Sequence, residues 1–149
     1  MDSDCERNIE IVRELFELVE GRGPGATFEE KWAAYESKYG PDVTIHEAPG
    51  LPYGGEYLGP DAVARHSQAY RSAWDALQAG HPMEPRFMAA GDQVLVSWRQ
   101  RGCAPDGKTF DMPAVSVYRL RDGRIAESRM FQFDVGATGD FLRHANAAS

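Results

Sequence analysis

Residues 109–134 read TFDMPAVSVYRLRDGRIAESRMFQFD, and this stretch decides the fold. Residues 109–121 are rich in β-branched and aromatic side chains, Asp122-Gly123 is a tight-turn dipeptide, and 124–134 resumes the strand character. Just upstream, Pro105-Asp106-Gly107 is a second turn signal, preceded by a strand over residues 86–101 centred on Val94-Leu95-Val96. Three consecutive strands joined by tight turns predict an antiparallel meander.

Before the meander the apolar period lengthens to that of helices. Over residues 8–20, Ile9, Ile11, Val12, Leu15, Phe16, Leu18 and Val19 predict a helix that Asp4 caps and Gly21 through Gly25 end. Thr27 with Glu30 is a capping box for a second helix, with Phe28, Trp32 and Tyr35 on one side and Gly40-Pro41 as its stop. Residues 42–47 alternate as a strand, and 48–60, with three prolines and four glycines, read as a structured loop. A third helix runs from Asp61 to about Gly80, with Val63, His66, Tyr70, Trp74 and Leu77 as its stripe. Helices followed by a meander make an α+β class rather than alternating βαβ units. The expected architecture is three N-terminal helices on a curved antiparallel sheet, leaving a pocket. Both faces of 94–101 and 112–119 carry apolar groups, so pattern alone leaves open which parity faces inward.

A length of 149 residues predicts a single domain, 1–149. Sixteen Lys+Arg against 23 Asp+Glu leave a net charge of −7, which offers no footprint to nucleic acid or anionic lipid. The polar balance also excludes an integral membrane protein. Cys5 and Cys103 do not make a disulfide framework. Residues 1–6 have no basic or apolar leader character, so a cytoplasmic protein is expected. There is no Gly-rich phosphate loop, no CxxC and no GxSxG, and His46, His66, His81 and His144 lack metal-ligand spacing. No cofactor and no metal are expected.

Two stretches carry a resemblance. One is Asp42-Val43-Thr44-Ile45-His46-Glu47, followed by Leu51-Pro52-Tyr53-Gly54-Gly55 and Tyr57-Leu58-Gly59-Pro60-Asp61-Ala62-Val63. The other is Tyr118-Arg119-Leu120-Arg121-Asp122-Gly123-Arg124-Ile125, running into Phe131-Gln132-Phe133-Asp134. With the order of elements, these resemble the nuclear transport factor 2-like superfamily, which holds SnoaL-like polyketide cyclases, ketosteroid isomerases and limonene epoxide hydrolases. The likeness covers residues from about Asn8 to about Leu142. It implies a cone-shaped fold, a homodimer and a hydrophobic small-molecule substrate, on a fold that hosts many chemistries. Glu47 falls on the general-base position of ketosteroid isomerases and Ser116 on their oxyanion aspartate; the first helix has no tyrosine to match their phenol. The Asp-Arg-Asp set of epoxide hydrolases falls on Ser97, Arg99 and Met130, which disfavours that mechanism.

Each candidate has a functional and a structural reading. Glu47 is a poised base or a surface glutamate paired with an arginine such as Arg65. His66 is a second acid/base or donor, or a satisfied core histidine, whereas His46 reads as structural. Asp134 is a pocket acid, or it ties down the C-terminal segment by accepting backbone N–H groups. Arg99, with Arg101 and Arg129, binds a carboxylate or enolate, or forms a surface ladder with Glu127. Tyr53, Tyr57, Tyr70, Trp74 and Trp98 are pocket wall or core, with Tyr53 and Tyr70 offering hydroxyls to substrate. Met83, Met88, Met112 and Met130, with Phe87 and Phe110, are an adaptable apolar lining or ordinary core. The function these readings imply is cofactor-independent acid/base chemistry, as an isomerase, cyclase or dehydratase, on a small hydrophobic carbonyl or polyketide-like compound. Glu47 takes a proton, Ser116, Tyr70 or an arginine holds the enolate, and His66 or Asp134 returns the proton. The alternative is a non-catalytic binding protein for a hydrophobic small molecule.

Overall fold

A computed structural model describes residues 3–23 and 25–147; Met1, Asp2, Pro24, Ala148 and Ser149, part of the expected leader-free start and of the 21–25 helix stop, lie outside the described residues. The elements are α1 (Ser3–Val19), α2 (Phe28–Glu36), β1 (Tyr39–Glu47), β2 (Gly55–Tyr57), α3 (Ala62–Gln78), β3 (Arg86–Ala90), β4 (Gln93–Cys103), β5 (Thr109–Arg121), β6 (Arg124–Gln132) and α4 (Val135–Ala147). One curved sheet of order β2-β1-β6-β5-β4-β3 carries α1 against β3 and β4, and α3 against β1 and β4. This is the expected α+β cone.

The meander pairs in register over its whole length, Cys103 with Thr109 at one end of β4–β5 and Arg121 with Arg124 at the β5–β6 turn. Parity, left open by pattern, is settled by the helices. Val94, Val96, Trp98 and Gln100 of β4, and Ala114, Ser116, Tyr118 and Leu120 of β5, face inward and are buried. The opposite parity, with Leu95, Val115 and Val117, lies on the outer face and is half-buried. Residues 86–101 are two strands rather than one: Ala90 pairs with Gln93 across a two-residue loop in which Gly91 takes φ 59°. Glycine tolerates that left-handed backbone, and the continuous apolar run on either side concealed the turn.

Four further features were not read from pattern. The first strand begins at Tyr39, through the Gly40-Pro41 expected to end α2, and it runs parallel to β6. Within the loop, Gly55–Tyr57 adds an antiparallel edge strand on β1. A fourth helix, α4, follows β6, burying Phe141, Leu142 and Ala145 against Tyr53, Tyr70, Trp74 and Leu77. The helix α1 starts at Ser3, so Asp4 lies in its first turn, paired with Arg7, rather than ahead of it. The α2 capping box forms: Thr27 Oγ1 accepts from Glu30 N at 3.1 Å, and Glu30 Oε2 accepts from Ala26 N at 2.8 Å.

The main core joins Val12, Leu15 and Phe16 of α1 to Val43, Ile45, Val94, Val96, Trp98 and Ile125 of the sheet. Each such side chain contributes about 1.5–3 kcal/mol on burial, which secures the curvature of the sheet around the helices.

Candidate active site

Inward parity along β1 runs through Val43 and Ile45 to Glu47, so a strand that is otherwise apolar on that face ends in a buried carboxylate. On α3 the same logic places His66 one turn before Tyr70, on the stripe that packs against the sheet. The two meet. His66 Nε2 lies 2.6 Å from Glu47 Oε2, with the Glu47 side chain 2% and the His66 side chain 11% exposed. The other two polar atoms of the pair, Glu47 Oε1 and His66 Nδ1, are buried without a hydrogen-bond partner among the described residues. Buried polar atoms are almost always paired, so two orphans on one contacting pair mark a place where a ligand or water completes the bonding.

Burial pushes the Glu47 carboxyl above its ordinary value, with the His66 contact partly offsetting the shift. A charged carboxylate here would have little solvent, and among the described residues the imidazole is the one hydrogen-bond partner of the side chain. When Glu47 is ionised, Nε2–H donates to Oε2, and Oε1 keeps its lone pairs available.

Glu47 and His66 lie on the wall of an inner cavity of about 60 Å³ between α1, α2, α3 and the sheet. Around them stand Phe16, Met83, Trp98 and Met130 as apolar wall, and Tyr35, Tyr39, Tyr70, Tyr118, Ser116 and Ser128 as hydroxyl-bearing wall. Tyr35 and Tyr39 share a hydrogen bond of 3.1 Å between their hydroxyls. Burial raises the pKa of Tyr35, Tyr39, Tyr70 and Tyr118, and proximity to Glu47 adds to each. These phenols therefore stay protonated and serve as donors. Trp98 Nε1 donates to Ser116 Oγ at 3.0 Å, which leaves the serine O–H to donate onward. A wider compartment of about 270 Å³ opens between the helices and shares Val19, Tyr35, His66 and Tyr70 with the inner one.

The expected site residues separate into two groups. Glu47, His66, Tyr70, Trp98, Ser116 and Met130 come together on the inner cavity, as does Met83. Glu47 is not a surface partner of Arg65, which pairs with Asp61 instead. Asp134 is exposed and is no pocket acid: its Oδ1 accepts from Ala137 N at 2.9 Å and its carbonyl from Thr138 Oγ1, so it starts α4. Tyr53 and Trp74 belong to the second core, where Trp74 Nε1 donates to the Tyr53 hydroxyl at 3.0 Å; neither lines the cavity. Phe110 and Met112 likewise sit on the α4 side, Met112 Sδ being 3.9 Å from Thr138 Oγ1. Arg99 has outward parity and pairs with Asp111 at 2.8 Å, an acid it shares with Arg101, while Arg129 pairs with Glu127. Met88 is exposed on the outer face. His46, outward on β1, is held between Glu56 and Glu127, a structural role.

Tyr39 and Tyr118 were not picked out from sequence, although the signal existed. Tyr118 shares parity with Ser116, and Tyr39 shares it with Glu47 once the strand is carried back through Gly40-Pro41. No group of three or more His, Cys, Asp or Glu suited to a metal occurs among the described residues. No helix among them is long and apolar enough to cross a membrane.

A curved sheet wrapped by helices is the fold of nuclear transport factor 2-like proteins. The chain belongs to the SnoaL-like domain family, whose pattern matches residues 12–128. No curated protein matches it. Among solved structures it is similar to TerC, co-crystallised with polyporic acid, at 20% identity and TM-score 0.72, covering 92% of this chain and 98% of that one. It is similar to a nuclear transport factor 2-like protein of unknown function from Burkholderia pseudomallei at 21% identity and TM-score 0.72, covering 91% and 97%. A candidate SnoaL-like polyketide cyclase from a Jannaschia species aligns at 17% identity and TM-score 0.69, covering 93% of each chain. At these identities the likeness carries the fold alone.

Proposed function

We propose that this protein is a cofactor-independent acid/base enzyme acting on a small hydrophobic carbonyl compound, by isomerisation, cyclisation or dehydration. The observation that carries the reading is the buried Glu47–His66 pair with Oε1 and Nδ1 unpartnered in a largely apolar cavity. Glu47 Oε1 takes the proton from the carbon next to the carbonyl, the C–H electron pair becomes the C=C bond of the enolate, and the carbonyl π pair moves onto the oxygen. One O–H of the Tyr35–Tyr39 pair and one of the Ser116–Tyr118 pair supply donors for that oxygen. His66 holds Oε2, orienting the carboxylate, and the proton returns from Glu47 or through His66. A single positioned base supplies on the order of 10²–10⁴ in rate, and preorganised donors add to it. The SnoaL-like membership supports a polyketide-like substrate and a place in secondary metabolism.

The same reading includes a homodimer through the outer face of the sheet, where Leu95, Val115 and Val117 run towards Phe131 and Phe133, the latter 79% exposed. Sedimentation of wild type against Phe131→Glu tests it: a dimer that the substitution converts to monomer supports it, and a wild-type monomer removes it.

The test of the chemistry is exchange of the α-protons of β-tetralone with D₂O, followed by NMR. Wild type accelerates exchange and Glu47→Gln does not, while both bind the ketone. If wild type binds and does not accelerate exchange, the protein is a binding protein for hydrophobic small molecules.

A further inference from the structure

The outer compartment of the cavity differs in charge from the rest of the chain. The protein carries −7 overall, yet the rim between α2 and α3 presents two cations, Lys31 and Arg71, with a single carboxylate, Asp75. Asp75 is committed: its Oδ2 accepts from Arg71 Nε at 3.0 Å. That bond offsets the arginine charge and leaves the guanidinium's terminal N–H groups unbonded among the described residues. Lys31 is half-buried, and its ammonium has no hydrogen bond or ion pair among the described residues. The rim therefore holds one uncompensated positive charge.

The wall beneath that charge is aromatic. Trp32 and Tyr35 stack with centroids 5.6 Å apart at 24°. Phe28 is 62% exposed, with the Arg71 guanidinium 5.2 Å from its ring centroid. Tyr70 faces them from α3, and Tyr35 and Tyr70 both continue into the inner cavity beside Glu47 and His66. A flat apolar body has aromatic faces to lie on, and an anion attached to it meets an unpaired ammonium.

We propose that the ligand is an aromatic compound bearing a carboxylate or similarly acidic group, which Lys31 binds at the mouth with Arg71 beside it, while the carbonyl end reaches Glu47 and His66. This deepens the acid/base reading and rests on it for the carbonyl end only. Lys31 is a specificity-determining residue: it selects anionic over neutral ligands and takes no part in proton transfer.

The test uses para-acetylbenzoate and its methyl ester, titrated calorimetrically into the full-length protein at neutral pH. Wild type at low salt binds the acid about 1.5-fold to fivefold more tightly than the ester, the range for one partly exposed ion pair. Lys31→Met abolishes the preference and leaves ester affinity unchanged, Lys31→Arg restores it, and high salt weakens it in wild type. Helix α2 has no fully buried residue, so these substitutions leave the fold intact. The proposal is overturned if neither compound binds, if acid and ester bind equally, or if the preference survives Lys31→Met. The two readings fail separately. Glu47→Gln keeps the acid preference while losing proton exchange, and a wild type that shows the preference without exchange removes the chemistry and leaves Lys31's role standing.

Discussion

Glu47 Oε2 and His66 Nε2 lie 2.6 Å apart, and the second polar atom of each side chain is buried with no hydrogen-bond partner among the described residues. A pair kept only for stability would satisfy all four atoms or dispense with them, since replacing a buried ion pair by apolar groups is often neutral or favourable. The arrangement instead holds a carboxylate oriented and underbonded, and on that geometry the proposed role of Glu47 as a base rests.

Replacing Glu47 by Gln keeps the acceptor for His66 and removes the base. The rate of α-proton exchange falls about 10²- to 10⁴-fold, while ketone affinity stays near the wild-type value. Parallel exchange and calorimetric measurements check this, and a variant that retains exchange would remove Glu47 from the chemistry.

The pH dependence follows from the raised pKa of Glu47, which burial causes and His66 limits. Exchange activity rises as pH climbs through that raised value and Glu47 ionises. Stability moves the other way. The folded protein holds the Glu47 proton to higher pH than the unfolded chain, whose value is near 4.5, so this group's contribution declines as pH rises above 4.5 through the folded value. Thermal melts of wild type against Glu47→Gln over that range should diverge, with the variant losing less.

His66→Ala removes the hydrogen-bond partner of the Glu47 side chain, so the carboxyl pKa climbs further. The rising limb of the activity profile moves to higher pH, and the rate at its plateau falls. A profile unchanged in position would show that His66 does not act through Glu47.

Gly54 is required by close approach. A Cβ there would stand 2.4 Å from the Ala48 carbonyl oxygen and 3.1 Å from that of Leu51, both backbone atoms that cannot swing aside. Gly54→Ala costs about 1–3 kcal/mol in denaturant unfolding and disturbs the loop that follows Glu47.

Asp134→Ala removes the acceptor for Ala137 N and costs about 1 kcal/mol, with exchange activity unchanged. Loss of activity without loss of stability would return Asp134 to the pocket.

The resemblance to ketosteroid isomerases raised Glu47 to the leading candidate, and the sequence alone determined the α+β class, the three helices and the meander with its Asp106-Gly107 and Asp122-Gly123 turns. Such features are local: period, capping and turn chemistry act over a few residues, and alternation from Val43 to Glu47 is visible in the string. Tertiary structure alone decided which face of β4 and β5 is inside, because both faces are apolar and only the packing of α1 and α3 distinguishes them. That choice sent Ser116 and Trp98 to the cavity and Arg99 to the surface. The parallel β1–β6 pairing, the helix that claims Trp74 and Asp134, and the meeting of His66 with Glu47 belong to the same category. Residues distant in the chain meet only when folding brings them together, and no period in the string records the distance between them.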